Sequence, residues 1–394
     1  MNIRQGFRRS SLYALWRMYR ERQQLQRFNS VLDTYLADCE TAKPYSEALV
    51  KARLREKQSQ RRPFFGSDGK LSVVAFGARN WEQYGLWPSF ERISRFALSE
   101  YGSEFISGPP IRKPGPEMRQ QQAQGFLAFV DKVEQERQVT YAFLYASGEH
   151  ISDELLDELA RRGIWTVIMS LDDKQQFFRP GDVTGEPHQL RVARQCDLYW
   201  TTWKTGTQIV LNIGGTPWYA PEAGDPAFYH PLDEPRDLEI VFVGQSYGLR
   251  ADLVRYLRRR GFRVDAFGSG WPNGFVSLEQ TVELYSRAEI VLGVGAVGQM
   301  SGVKHLKARD FEVPMCGALY LTSYNPELAD HYRIGEEIIC YSSFEECADL
   351  AHWVLCHPDE AQHIRKAALK RSLAEHTWEQ RLRRLFSLWT SVET

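Results

Sequence analysis

Cysteine pairs, long apolar runs and net charge are what this chain has little of. Its six cysteines (Cys39, Cys196, Cys316, Cys340, Cys347, Cys356) are scattered through 394 residues without a CxxC pair. That excludes a disulfide framework and zinc-ribbon spacing, and suits reduced, buried thiols. His352 and Cys356 stand four apart with Cys347 and His357 nearby, but no second ligand pair has metal-site spacing, so helix packing is the reading carried forward. No run approaches the ~20 apolar residues that a membrane span needs. The N-terminus has arginines but no apolar core or small-residue cleavage site, so it does not read as a secretory signal. A cytoplasmic protein is expected. The net charge of −1 excludes a chain built to coat nucleic acid. Walker A, Ser-His-Asp and metal-carboxylate patterns are also missing.

The charge is uneven, however. Residues 1–62 hold fourteen Lys/Arg against six Asp/Glu, a balance of +8 that leaves −9 for the remainder. Residues 8–60 contain little Gly or Pro and read as helical. Leu12, Leu15, Trp16 and Tyr19 fall on one stripe, with Arg8, Arg9, Arg17 and Arg20 around it. Such an arm can pack on its own body or on a partner subunit, or it can lie on an anionic membrane surface.

From residue 71 the pattern alternates. Apolar runs at 71–77, 141–148, 164–170 and 197–202 read as strands, each followed by a helical stretch, the first of these near 86–100. A Pro- and Asp-rich linker at 223–237 interrupts the series. It restarts with runs at 238–244, 262–268, 288–295, 318–322 and 337–341. Alternating strands and helices predict βαβ units and parallel sheets. The expected class is therefore α/β, two Rossmann-like domains facing across a cleft, preceded by a helical arm. The last helix carries Trp378, Leu382, Leu385, Phe386 and Trp389 on one face and must dock. In such sheets ligands bind beyond the carboxyl ends of the strands, which directs attention to the residues just after each strand.

Gly293, Gly295 and Gly298 spell GxGxxG after a strand. The dinucleotide reading is rejected, because the match is not in an opening βαβ unit and the next strand ends at Ser323 and Tyr324 without a ribose-binding acid. The glycines do support a loop whose backbone can approach a ligand. KHLKARDFEVPMCG follows at 304–317. Read as a helix after a Gly-rich loop, it places His305, Arg309 and Glu312 on one face and Asp310 off it, in solvent. Cations at a helix start oppose its dipole, so an anionic ligand would relieve a cost that a bare helix retains. Arg can clamp phosphate oxygens, Lys acts as a point charge, and Glu312 can accept from sugar hydroxyls.

Here the chain resembles a known family. KxR-x-FE-x-P-x-CG, LTSYNPEL, GEEIICY and HTWEQR, with VFVGQSYGLR and VDAFGSGW before them, are similar to the spore-protein (CgeB-type) glycosyltransferase-like family of GT-B fold. The resemblance covers roughly 238–390 well and 70–220 more loosely, and it does not reach the arm. With the charge and alternation above, the expected domain plan is 1–62 basic arm, 63–225 acceptor domain, 226–380 nucleotide-sugar donor domain, and 381–394 a helix packing back toward the first domain, the acceptor and donor labels being what the resemblance implies. The resemblance also implies donor contacts: Lys307 and Arg309 at the diphosphate, Glu312 at the ribose, Gly244, Ser246 and Arg250 near the phosphates, and Phe267, Gly268 and Trp271 around the base. EVPMCGALYL is similar to an EAMACGTPVI-type segment. The second Glu that many retaining members carry eight positions earlier is Lys304 here, which leaves the stereochemistry and the donor sugar open.

In the first half, Asp172 and Asp173 follow a buried strand. One of them can act as base for an acceptor hydroxyl, or both can serve at a helix start. His150 is a further base candidate. Asn80 and Trp81 can shape an acceptor pocket, with Trp81 better suited to the core. The expected function is a metal-independent, hexosyltransferase-like glycosyltransferase using a nucleoside-diphosphate sugar and no cofactor, acting on an acceptor that is a protein, glycan, lipid or metabolite. The alternatives are a silent GT-B-like sugar- or nucleotide-binding scaffold and a nucleotide-sugar epimerase.

Overall fold

The computed structural model describes residues 11–37, 44–66, 69–100, 115–179, 181, 185–298 and 300–390. Cys39, Arg8 and Arg9 lie outside them. The chain forms two compact units. One comprises Asp38–Phe228 with Glu375–Thr394, the other Tyr229–Ala374 with Met1–Ala37.

The first unit is built on β1 (Ser72–Gly77), β2 (Arg95–Glu100), β3 (Tyr141–Leu144), β4 (Trp165–Ser170), β5 (Leu198–Thr201) and β6 (Pro217–Tyr219). They form one six-stranded sheet in the order β2-β1-β3-β4-β5-β6, every pair parallel. β1, β3, β4 and β5 are buried throughout, as strands covered on both faces must be. β2 and β6 escape the sequence reading. β2 is an edge strand of mixed polarity that starts one residue after the helix Leu86–Ile93, so the two merge into a single helical signal.

The closing helix Trp378–Thr390 belongs to this unit's core. Its spacing of Trp378, Leu382, Leu385, Phe386 and Trp389 places large side chains on one face. Trp389 stacks on Phe64 with centroids 4.8 Å apart and meets Tyr141 and Trp165 edge-on. Trp378 stacks on Trp81 at 5.7 Å. Part of the expected linker is also built in. Asp225 is buried and accepts from Arg92 at 2.8 Å, and Gly224 bridges to Thr377.

The second unit contains β7 (Leu238–Val243), β8 (Val264–Phe267), β9 (Ala288–Leu292), β10 (Ala296–Val297), β11 (Met300–Lys304), β12 (Tyr320–Ser323) and β13 (Ile339–Tyr341). Five of them form a parallel sheet in the order β13-β12-β9-β7-β8, and β10 pairs with β11 as an antiparallel hairpin. Helix Leu278–Arg287 is started by a capping box between Ser277 and Gln280.

Residues 1–62 read as one arm, but their helices divide. Glu47–Lys57 buries Val50 and Leu54 in the six-stranded unit. Ser11–Ala37 belongs to the five-stranded unit, where Glu21 accepts from the backbone N–H and hydroxyl of Ser301 and Leu25 lies 3.8 Å from where a Cβ on Gly302 would be. No helix among the described residues is long and apolar enough to cross a membrane.

Trp389→Ala tests the role of the closing helix. A 1% exposed indole stacked among aromatics should cost about 3–5 kcal/mol on truncation. Urea unfolding should report that loss in the transition of the six-stranded unit.

Candidate functional site

The sharpest geometry lies at the carboxyl end of the five-stranded sheet. The loops after β7 and β8 are tied together there. Gly244 N–H donates to the Phe267 carbonyl at 2.8 Å, and Ser246 N–H to that of Ser269 at 2.8 Å. The Trp271 indole N–H donates to the Gly244 carbonyl at 2.7 Å. Gly268 must be glycine, because its φ is +116° and a Cβ there would stand 2.6 Å from the Gly244 carbonyl.

Two guanidiniums converge on this junction. Arg250, in the first turn of helix Leu249–Arg259, lies 5.7 Å from the Phe242 ring centroid and 4.1 Å from that of Tyr247. One of its nitrogens donates to the Gln245 carbonyl at 3.2 Å. Arg309 opens the helix Arg309–Met315 and lies 5.5 Å from the same Phe242 ring. Its Nη2 is 2.9 Å from where a Cβ on Gly244 would be. Arg309 is half-buried as a residue, yet its Nη1 is sealed from solvent without a hydrogen-bond partner. Burial and the neighbouring Arg309 hold Arg250 down at about 10. At Arg309 burial acts the same way but is outweighed by oxygens of Tyr285, Tyr320, Asp310 and Glu312, so its value is raised. The two differ in sign because the acidic groups stand around Arg309.

Glu312 is half-buried. Burial lifts its carboxyl to about 7, and the Tyr229 hydroxyl hydrogen-bonds to it. Tyr229 is itself only 3% exposed, so the carboxylate is held in one place.

The structure corrects the expected helix in several respects. Gly298, at φ +56°, turns the glycine run into the β10–β11 hairpin, so no helix opens at GxGxxG. Lys304 ends β11, and Lys307 lies in the loop before the helix. His305 is buried in that stretch and shares no helix face with Arg309 and Glu312. Asp310 is not solvated. It is 4% exposed and accepts from Lys307 N–H at 2.7 Å and from the Tyr320 hydroxyl at 2.8 Å. Sequence reasoning overlooked it because a carboxylate among cations reads as surface. Phe242 and Tyr229 were missed because an aromatic in a strand or linker reads as core. Burial lowers the Lys304 ammonium, with Glu21 opposing.

In the six-stranded unit the proposed bases separate. Asp173 is fully buried and accepts from Tyr199 at 2.6 Å and Thr201 at 2.5 Å. It ties β5 to the turn after β4. His150 is half-buried, its Nδ1 3.4 Å from Gln122 Nε2, with burial lowering its value. Asp172 is exposed, makes no capping bond with its side chain, and lines a cavity beyond β1, β3 and β4. Asn80 and Trp81 begin the short 3₁₀ turn after β1.

With this geometry in place, comparison with known proteins gives a coherent result. Residues 250–387 match the family profile described as Glycosyl transferase-like. Sucrose-phosphate synthase from Thermosynechococcus elongatus superposes with a TM-score of 0.56 at 13% identity, over 80% of this chain and 99% of that one. A glycosyltransferase from Rickettsia africae gives 0.55 at 9%, over 82% and 99%. HepE of Anabaena, in complex with UDP-glucose, gives 0.52 at 11%, over 80% and 99%. No curated protein matches the chain. The fold is GT-B. The chain thus carries a glycosyl transferase-like region on two Rossmann-like units, and Arg250, Arg309 and Glu312 all fall within the matched residues.

The buried Asp173 allows a pH test. Burial raises its folded value to about 7, against 3.8 for a free aspartate. The fold therefore retains a proton that the unfolded chain releases between these values. Stability from that proton is full below ~4 and is lost as pH rises to about 7. Asp173→Asn should shrink the drop in urea midpoint across that window in the six-stranded unit.

Proposed function

We propose that the protein is a glycosyltransferase that moves a sugar from a nucleoside-diphosphate donor held by the five-stranded unit. One observation carries this reading. Two arginines share one aromatic ring at the carboxyl end of a parallel sheet, and one of them keeps a sealed, unpartnered N–H. Bringing like charges out of water together is costly unless an anion completes the set. Diphosphate oxygens suit the planar forks of Arg250 and Arg309, with Lys307 adding a point charge. Gly244 and Ser246 supply close backbone beside them. In this reading Glu312, hydrogen-bonded by Tyr229, accepts from the ribose hydroxyls, and Phe267, Gly268 and Trp271 border the base.

In this reading the cations stabilise the departing diphosphate, where charge develops as the glycosidic bond breaks. That role needs no metal ion. HepE binds UDP-glucose on a similar fold, which supports a uridine nucleotide as the first ligand to test. The KxR-x-FE-x-P-x-CG pattern supports the CgeB-type branch. Asp172, Asp173 and His150 were the candidates for acceptor chemistry, and cavity lining favours Asp172 among them. The basic arm adds a peripheral contact, with an anionic surface or a partner subunit. Tyr19 supports this, being 63% exposed on the side of its helix opposite buried Phe28.

Thermal unfolding with UDP, and with GDP in parallel, tests the donor site. A ligand at 100 times its Kd stabilises the native state by about 2.7 kcal/mol, so Tm should rise in the wild type. Arg309→Met should lose that rise, each Tm being read against the variant's own ligand-free value. An Arg309→Met protein that binds UDP normally overturns the assignment, as does a wild type that binds neither nucleotide.

A further inference from the structure

The six-stranded unit has a cavity of about 200 Å³ beyond the carboxyl ends of β1, β3 and β4. Its polar wall includes Glu82, Tyr145, Ser147, Ser170, Asp172 and Gln176. Ala146, Met169 and Leu171 supply an apolar side, and no Lys or Arg lines it. At ~30 Å³ per water it has room for roughly six or seven waters, the scale of one sugar ring.

Glu82 is the unusual member. It is 3% exposed, on the 3₁₀ turn Trp81–Tyr84. It accepts from the Asn80 N–H at 2.8 Å and from the Tyr145 hydroxyl, and no cation among the described residues contributes to its environment. Burial pushes its carboxyl upward. A buried carboxylate with hydrogen bonds but no counter-charge costs stability, and such local costs concentrate where a ligand is bound. Ionised carboxylates only accept hydrogen bonds. With Glu82 and Asp172 both lining it and no Lys or Arg among the described residues that line it, the cavity repels phosphate and carboxylate and attracts groups that donate. The hydroxyls of Ser147 and Ser170 and the Gln176 amide add adaptable partners. The apolar side suits the C–H face of a pyranose.

A larger cavity of about 500 Å³ in the same unit, bordered by Arg119, Asp153, His188 and Arg191, is a weaker candidate. Its Arg191 is already committed to Asp153 and to the carbonyls of Gly148 and Ile151.

We propose that the smaller cavity is the acceptor site, and that it takes a neutral or amine-bearing polyhydroxyl group, one sugar residue in scale, whose hydroxyls donate to Glu82 and Asp172. This deepens the transferase reading and rests on it for the word acceptor. Glu82 then sets specificity: it excludes phosphorylated acceptors.

Saturation-transfer NMR on the full chain, with UDP at saturation, tests the proposal using methyl α-glucoside, glucosamine and glucose 6-phosphate as probes. The first two should bind, and the phosphorylated sugar should bind at least about tenfold more weakly. Glu82→Gln keeps an oxygen for the Asn80 N–H but loses the charge. It should weaken the neutral probe about tenfold, the scale of one charge-assisted hydrogen bond, while leaving UDP affinity unchanged. If that variant fails to fold, the exposed Asp172→Asn serves in its place with the same expectation. Equal binding of glucose 6-phosphate overturns the proposal. So does binding of none of the three by a chain that binds UDP, or unchanged sugar binding in both variants. Loss of UDP binding in the wild type instead overturns the donor reading and leaves the cavity's sugar binding to be judged on its own signal.

Discussion

The repulsion between two guanidiniums over the Phe242 ring is the constraint on which the carboxyl end of the five-stranded unit's sheet depends. Arg250 and Arg309 come from helices far apart in sequence, and each is drawn to the face of the same aromatic. The cation–π attraction is modest, so it cannot by itself justify burying like charges. The surrounding scaffold holds them there. Gly244 leaves the volume that Arg309 occupies. Asp310 fixes the turn into the arginine's helix by accepting from Lys307 N–H, and the Tyr320 hydroxyl anchors Asp310 from below. Gly293 makes this anchor possible, since a Cβ there would stand 2.3 Å from the Tyr320 hydroxyl. The glycine run is therefore neither a dinucleotide loop nor a passive spacer. Its first member makes room for the buttress behind the arginine pair.

The two units carry opposite electrostatics at corresponding ends of their sheets. One presents cations on an aromatic platform, the other two carboxylates around a small cavity without a cation. Under the proposed function, these fields would sort a diphosphate from a hydroxyl-rich sugar before any shape complementarity acts. The same sorting explains why Asp173 was a poor candidate base. It has the right sequence position, but its oxygens are spent on Tyr199 and Thr201 in the interior. Asp172, one residue earlier, points out of the fold and can reach a ligand. A single step along the backbone separates a buried structural carboxylate from an exposed one that lines the cavity.

Strand positions were legible in the sequence because buried parallel strands are continuous apolar runs, from Val73 to Phe76 and from Ile240 to Phe242. The edge strand β2 was not, since half-exposed residues carry no such signal. Arg309 and Glu312 were legible through their spacing and a family resemblance. Their supports were not. Tyr229, Phe242, Tyr320 and Glu82 act through contacts between segments distant in sequence, and an aromatic or a lone glutamate has no local signature for that. The error at Asp310 has the same origin. Its environment is set by Tyr320, ten residues on and in the next strand, so its burial could not be read from its neighbours.

Position 304 shows how such distant contacts change a residue's meaning. By resemblance a carboxylate belongs there, and Lys304 leaves the stereochemistry and the donor sugar open. In the fold, Lys304 ends the β10–β11 hairpin, and Glu21 reaches that hairpin from helix Ser11–Ala37 through Ser301. The carboxylate at this hairpin thus comes from the N-terminal helix, outside the segment where the resemblance holds. Glu21, Leu25 and Phe28 recur at helical spacing, so one face of that helix is committed to the five-stranded unit. The arm is then part of that unit's architecture. Any outside contact it makes must use the other face, where Tyr19 stands in solvent.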